Sequence, residues 1–100
     1  MKKFDSFWTE LFINLRTPQK IKNWTVKKGF FGDNFKAQTN KNSILCITPK
    51  GSEQCVPRKD FELIYENWDG YISGRISRSD FCESRFTKYT ISIIHQFLKN

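Results

Sequence analysis

The chain has 100 residues and a formal net charge of +7 at pH 7, a length that suits one domain and leaves no room for a second. Aromatic residues make up 16% of it, which excludes the aromatic-poor composition of a disordered chain. No apolar run approaches the roughly 18–20 residues of a membrane span, and no uniform apolar stretch typical of a signal peptide follows the basic start. We therefore expect a single cytoplasmic domain over residues 1–100 that has no contact with a membrane.

The first predicted element is an amphipathic helix over residues 4–16. Its apolar side chains recur at helical spacing and include four aromatic rings. They are Phe4, Phe7, Trp8, Leu11, Phe12 and Leu15. Pro18, which lacks a backbone N–H, ends the helix. A stripe of this kind is most often part of a core, although its width leaves open that some of it docks on a partner protein.

Between Lys22 and Val56 the apolar spacing changes to two. Trp24 and Val26 alternate with polar neighbours, as do Phe35 and Ala37, and turns rich in Gly, Asn and Pro separate the segments. Short alternating segments with such turns are typical of antiparallel strands. The pattern predicts a meander of three or four strands.

Two cysteines lie on either side of one of these turns. A symmetric turn through residues 49–52 would place Cys46 directly opposite Cys55, where facing residues of antiparallel strands can be close enough for a disulfide. The alternative is two small, buried hydrophobic side chains, which we favour in the reducing cytosol. The single His and the absence of a Cys-x-x-Cys pair argue against a zinc site, and no other cofactor is implied.

The helical period returns after Pro57. It predicts a helix over residues 58–73 that ends at Gly74, a residue suited to the left-handed backbone beyond a helix. Its polar side would carry a solvated acidic face. That face consists of Asp60, Glu62, Glu66 and Asp69.

Two shorter helices are predicted at the end of the chain. Ser77 and Asp80 have the spacing of a capping box before a helix over residues 78–84, and Thr87 is suited to cap a last helix over residues 88–98. Strands that are followed by a run of helices indicate an α+β fold. We predict an N-terminal helix, an antiparallel meander of three to four strands and two to three C-terminal helices.

The positive charge lies in the first half of the chain. Residues 1–50 contain ten Lys or Arg against three acidic residues, whereas residues 51–100 contain seven of each. A basic sheet with exposed rings can bind nucleic acid, because lysines neutralise phosphates and aromatic rings stack on bases. The candidate rings are Trp24, Phe30 and Phe31. The alternative is that Trp24 belongs to the core and the lysines serve solubility.

The last two predicted helices have the lengths of a helix-turn-helix. The exposed side of the second helix would then present Lys88, Ser92, His95, Gln96 and Lys99. Its loop lacks a glycine and the helix lacks an Arg or Asn pair for reading bases, so a simple packing pair is the alternative. All candidate nucleic-acid contacts together are Arg16, Lys20, Lys22, Lys27, Lys28, Lys36, Lys41, Arg75, Arg78, Arg85 and Lys88.

Catalytic patterns are missing from the sequence. His95 is the single histidine, and no Ser or Cys lies in a nucleophile motif. Gly29 and Gly32 do not have the spacing of a phosphate-binding loop. We therefore expect a protein that is not an enzyme and has no small-molecule substrate.

Several segments resemble small proteins of bacterial mobile elements, including integron gene cassettes, and an accessory module of restriction-type proteins. The residues that carry the resemblance are Ser43-Ile44-Leu45, the run from Val56 to Glu62, the run from Ile64 to Trp68, and the run from Lys88 to Ile94. It covers about three quarters of the chain and does not include the helix over residues 4–16. The resemblance implies a strand meander followed by helices, in a setting near DNA.

Two functional hypotheses follow. The first is a small bacterial protein that contacts DNA or RNA through its basic strand region. The alternative is a protein–protein adaptor or homodimer with no nucleic-acid role. Its contact surface would combine the aromatic helix 4–16 with the face of helix 58–73 that carries Tyr65 and Trp68.

Overall fold

The computed structural model describes residues 2–81 and 86–98. It shows an N-terminal helix, a four-stranded antiparallel sheet and then the remaining helices, which confirms the predicted α+β class. The elements are α1 (Phe4–Asn14), β1 (Gln19–Ile21), β2 (Trp24–Thr25), β3 (Gly29–Phe30), β4 (Phe35–Asn40), β5 (Ser43–Ile47), β6 (Glu53–Pro57), α2 (Arg58–Glu66), α3 (Trp68–Ile72), a 3-10 helix (Arg78–Phe81) and α4 (Thr87–Leu98). Within the described ranges, no helix is both long and apolar enough to cross a membrane.

The main sheet has the strand order β1-β4-β5-β6, with every neighbouring pair antiparallel. Its inner face carries buried side chains such as Phe35, Ile44 and Val56, and the helices cover that face. Because strand side chains alternate between faces, Lys20 and Lys36 lie on the outer face, where they are direct neighbours across β1 and β4.

The register of β5 and β6 differs by one residue from the symmetric turn that the sequence suggested. Thr48 accepts a hydrogen bond from the N–H of Gly51, and its own N–H donates to Ser52, both at 2.9 Å. The loop therefore has three residues, with Gly51 in the left-handed region at φ 89°, a geometry common in three-residue hairpin loops. A shift of one residue moves each side chain to the other face of the strand.

The shifted register separates the two cysteines. Cys46 faces Gln54 and is fully buried on the inner face, whereas Cys55 faces Leu45 and is exposed on the outer face. The predicted opposition of Cys46 and Cys55 is therefore wrong, and both thiols are free. The expectation of two buried thiols holds for Cys46 alone. Burial raises the pKa of the Cys46 thiol to about 12, which keeps it protonated and unreactive.

The core forms where α1, α2 and α4 pack together over the inner face. Phe7 of α1 stacks on Tyr65 of α2 with ring centroids 4.6 Å apart, and Trp8 contacts Phe61 at 5.3 Å. Helix α4 is buried around most of its circumference, including Thr90, Ser92 and His95 as well as its three isoleucines. It is the central helix of the domain.

The predicted helix over residues 58–73 is two helices that meet at Asn67. The backbone leaves helical geometry there (φ −109°, ψ 17°), and the Asn67 side chain donates to the carbonyl of Leu63 at 2.8 Å. Asn favours such ends because its side chain competes for backbone hydrogen bonds. Gly74 follows α3 with φ 84°, which confirms its predicted conformation. The predicted solvated acidic face is wrong for Asp60, which is buried. The other three carboxylates of that face are exposed.

The two C-terminal helices agree in part with the prediction. Asp80 accepts from the backbone N–H of Ser77 at 2.8 Å, which is one half of the predicted capping box, whereas the N–H of Asp80 donates to the Ser77 carbonyl and not to its hydroxyl. The helix that follows is 3-10 and spans Arg78–Phe81. Residues 82–84 of the predicted helix lie outside the described residues. Helix α4 begins at Thr87 itself, so Thr87 is its first residue rather than its cap.

Strands β2 and β3 form a separate two-stranded hairpin. The backbone N–H groups of Lys22, Trp24 and Val26 donate to side chains instead of to another strand. Their acceptors are Gln96 at 3.1 Å, Ser92 at 3.0 Å and Tyr71 at 3.1 Å. Helices α3 and α4 thus hold the hairpin, which the sequence had placed within one continuous meander.

Candidate nucleic-acid interface

A surface cleft of about 700 Å³ lies between the hairpin turn and the segment that follows α3. Lys27 and Lys28 reach it from the turn, and Arg78 reaches it from the start of the 3-10 helix. Val26, Ile72 and Ile76 supply the apolar part of its lining, and three serines and Thr25 add hydroxyl groups. We call this site the basic cleft.

Local hydrogen bonds fix the walls of the basic cleft. The Tyr71 hydroxyl accepts from the N–H of Val26, and the hydroxyl of Thr25 accepts from the N–H of Lys28 at 3.3 Å. On the other wall, the N–H of Ile76 donates to the carbonyl of Gly70 at 3.0 Å. The bond from Val26 to the Tyr71 side chain joins two segments that are 45 residues apart, and the other two bonds hold each wall locally.

All charged side chains among the described lining residues of the basic cleft are positive. Three of its lining residues are cationic, and none of the described lining residues is Asp or Glu. The nearby carboxylate of Asp80 is engaged with the backbone and hydroxyl of Ser77 and is not part of the lining. A concave surface lined by one sign of charge concentrates ions of the opposite sign, so the basic cleft favours an anionic ligand.

The three candidate rings have different environments. Phe30 is 59% exposed, with the Lys22 ammonium 5.8 Å from its ring centroid. Phe31 is half-buried beside the Lys28 ammonium, at 5.4 Å. Trp24 is half-buried and stacks on the ring of His95 at 3.7 Å with an interplanar angle of 7°, so one of its faces is already covered.

The structure distributes the other basic residues over several surfaces. Lys20 and Lys36 share the outer face of the main sheet, and Lys41 lies in the β4–β5 turn, at the opposite end of the sheet from the turn that holds Lys50. Arg16 is exposed just after α1. The basic sheet expected from the sequence is therefore not one continuous surface. Lys20 and Lys36 line a smaller cleft of about 400 Å³, and Lys27, Lys28 and Arg78 converge on the basic cleft.

The remaining candidates lie near the C-terminal helices. Arg75 is exposed, and its neighbours Gly74 and Ile76 both line the basic cleft. Lys88 lines a second cleft of about 450 Å³ together with Lys50, but Asp33 is also in that lining. The predicted contact Arg85 lies outside the described residues.

The face expected for a DNA-reading helix is turned inward. Ser92 and His95 are buried, and Gln96 accepts from the N–H of Lys22 and donates to the carbonyl of Lys20. Helix α4 thus uses its polar side chains to bind the hairpin and β1, which makes the helix-turn-helix interpretation wrong for these three residues. Lys99, the last residue of that predicted face, is outside the described range.

The aromatic surface assigned to a protein partner is also internal. Tyr65 and Trp68 are 2% and 6% exposed, and Phe4 and Phe7 of α1 are buried against Tyr65. These rings are part of the domain core. A partner could reach them only if the domain opened.

Two further features bear on chemistry. In the second cleft, the Oδ1 atom of Asn23 is buried, and the described residues offer it no hydrogen-bond partner, while its amide nitrogen donates to the carbonyl of Asp33. Among residues 2–81 and 86–98, no three His, Cys, Asp or Glu side chains form a group able to hold a metal ion.

Sequence reasoning missed the apolar part of the basic cleft. Ile72 follows the helical period of the predicted continuous helix over residues 58–73, but its side chain is 46% exposed. The break at Asn67 changes the phase of the helix, which turns Ile72 outward. Ile76 belonged to no predicted element, and no pattern in the sequence marked it.

Comparisons with models of protein families, with curated proteins and with solved structures found no match for this chain.

Proposed function

We propose that the protein binds nucleic acid and that the basic cleft is its main phosphate-binding surface. The observation that carries the proposal is the convergence of Lys27, Lys28 and Arg78 on one concave surface whose described lining residues include no carboxylate. Lysine and arginine at a groove neutralise backbone phosphates and release counterions. Arg75 adds positive charge next to the cleft, because both of its neighbours in the chain line it.

The charge of the whole chain supports the same function. A net charge of +7 attracts polyanions at long range, and the basic cleft gives that attraction a defined site of contact. The lysines that lie elsewhere on the surface contribute to the general field, and two of them, Lys20 and Lys36, line a smaller cleft. Solubility alone would not require cations from two distant segments to meet.

The test is a fluorescence anisotropy titration of labelled DNA and RNA oligonucleotides at increasing salt. We expect binding at low salt, with the logarithm of the association constant falling by about 0.7–0.9 per neutralised phosphate for each tenfold increase in salt. Replacement of Lys27 and Lys28 by Glu should abolish most of the binding without unfolding the domain, because both side chains are exposed.

The matched control is the double variant Lys36→Glu and Lys41→Glu. It changes the net charge by the same amount but lies on the main sheet and its far turn. We expect this control to retain much tighter binding than the cleft variant. Equal losses in the two variants would show diffuse attraction without a site, and absence of any binding at low salt would contradict the proposal.

The protein–protein adaptor or homodimer stays a prediction with a separate test. Sedimentation at high protein concentration should show a dimer if it is correct. The largest exposed apolar side chain of α1 is Ile13, at 54%, so Ile13→Glu should dissociate a dimer formed through that helix. A monomer at all concentrations would remove this alternative.

A further inference from the structure

We infer that the protein prefers single-stranded to duplex nucleic acid, because an unpaired base stacks on Phe30 while neighbouring phosphates bind lysines of the hairpin. The inference rests on the proposed function. The inference extends the proposed function by naming the form of nucleic acid that is bound and the residue, Phe30, that selects this form.

The exposed apolar side chains of the domain are concentrated around the cations. Four large hydrophobic side chains in the described residues are exposed, and three of them belong to this region. Val26 and Ile72 line the basic cleft, and Phe30 lies on the same hairpin. A duplex hides the faces of its bases inside the stack, so apolar groups at such a site would gain little from it. A single strand offers those faces, and stacking on aromatic side chains is how many proteins bind single strands.

Phe30 is held in place as a stacking surface. It lies opposite Trp24 in the hairpin register, which puts both rings on the same face of the hairpin. The ring of His95, stacked on Trp24, meets Phe30 at 71° with 5.7 Å between centroids. The contact with a buried residue fixes the ring, although 59% of Phe30 remains exposed. A fixed ring loses little conformational freedom when a base stacks on it.

Two lysines that precede this ring in the chain lie near it or on its hairpin. The Lys22 ammonium is 5.8 Å from the ring centroid, and Lys28 lies two residues before Phe30 and lines the basic cleft. A nucleotide whose base covers the ring would therefore have its phosphates close to a lysine. The hairpin thus combines the two elements of single-strand recognition, which are a stacking ring and a positively charged path for the backbone.

The experiment compares one labelled oligonucleotide of mixed sequence as a single strand and as a duplex with its complement, at the same salt concentration. We expect the wild type to bind the single strand at least tenfold more tightly. Phe30→Leu keeps an apolar side chain and removes the ring, and should weaken single-strand binding by about 5- to 150-fold, the range that corresponds to the loss of one stacked base. It should leave duplex binding unchanged.

Two control variants complete the design. Phe30→Trp keeps an aromatic face and should retain the preference, whereas Ile13→Ala alters an equally exposed apolar residue on α1 and should change nothing. Equal affinity for the two forms, or Phe30→Leu binding the single strand as tightly as wild type, would overturn the inference while leaving the proposed function intact. If neither form binds at low salt, the proposed function fails and the inference fails with it.

Discussion

The main sheet and the β2–β3 hairpin come from one continuous basic stretch of sequence, but they are held in different ways. Strands of the main sheet pair with each other along their length and bury one face under the helices. Within the described part of the chain the hairpin pairs with no other strand, and N–H groups at its edge donate to Gln96, Ser92 and Tyr71. As a result, the lysines of the main sheet lie on its outer face or in its turns, whereas those of the hairpin turn share a cleft with Arg78.

The difference shows that the number of charges in a segment does not determine a binding surface. Lys20 and Lys36 are direct neighbours with Ile47 and Glu53 in the same cross-strand row. They line a smaller cleft of about 400 Å³, whose described lining has no further cation. Lys27 and Lys28 share a concave surface with Arg78, because hydrogen bonds to α3 and α4 hold the hairpin next to the segment after α3. The following substitutions test this contrast, beginning with the largest expected effect.

Phe61→Ala should destabilise the whole domain. The ring is fully buried between the helices and the sheet, and loss of a buried Phe side chain costs about 3–5 kcal/mol of unfolding free energy. Phe30→Ala, which removes the same atoms from the hairpin, should change stability by less than about 0.5 kcal/mol because that ring is mostly exposed. Urea denaturation followed by circular dichroism measures both, and a stable Phe61→Ala variant would mean that the core is assigned to the wrong face of α2.

Ser92→Ala should affect the hairpin more than the main sheet. The Ser92 hydroxyl accepts from the Trp24 N–H at 3.0 Å and is fully buried, so its removal leaves a donor without its acceptor at a cost of about 1–3 kcal/mol. Amide hydrogen exchange should then accelerate at residues of β2 and β3 before it does so at β4 and β5. Thr9→Ala is the control, since its hydroxyl accepts no such bond and lies exposed on α1. Uniform acceleration over both sheets would contradict a separately held hairpin.

Residues with a regular local period were assigned well from the sequence. The stripe from Phe61 to Tyr65 is buried, as is the stripe from Phe4 to Leu11 except for the half-buried Trp8, because one amphipathic face is enough to define a helix that packs on a core. The capping interaction of Ser77 and Asp80 was likewise visible, since both partners are three residues apart.

Features that depend on distant residues could not be predicted. The bonds from Lys22 and Trp24 to α4 join residues 74 and 68 positions apart, and polar side chains that bind a strand edge have the same pattern as polar side chains exposed for DNA. This ambiguity produced the helix-turn-helix interpretation. For the candidate site, Lys27, Lys28 and Arg78 were all named in advance as contacts, but their convergence follows only from the way the hairpin docks.

The register of β5 and β6 gives the prediction with the smallest effect on stability. Native protein treated with iodoacetamide should be alkylated at Cys55, which is exposed, and not at Cys46, which is buried and has a pKa raised to about 12. Because the thiolate is the reactive form, Cys46 should stay unmodified up to about pH 9 and become modified only in denaturant. Mass spectrometry of the peptides that contain each residue gives the result without reference to Cys82, which lies outside the described residues. A different result would contradict this register. If neither Cys46 nor Cys55 reacts in the native oxidised protein and both react after reduction, the two are bonded to each other and the symmetric register is correct. Alkylation of Cys55 alone would instead confirm that the two strands of the main sheet pair through the three-residue loop at Gly51.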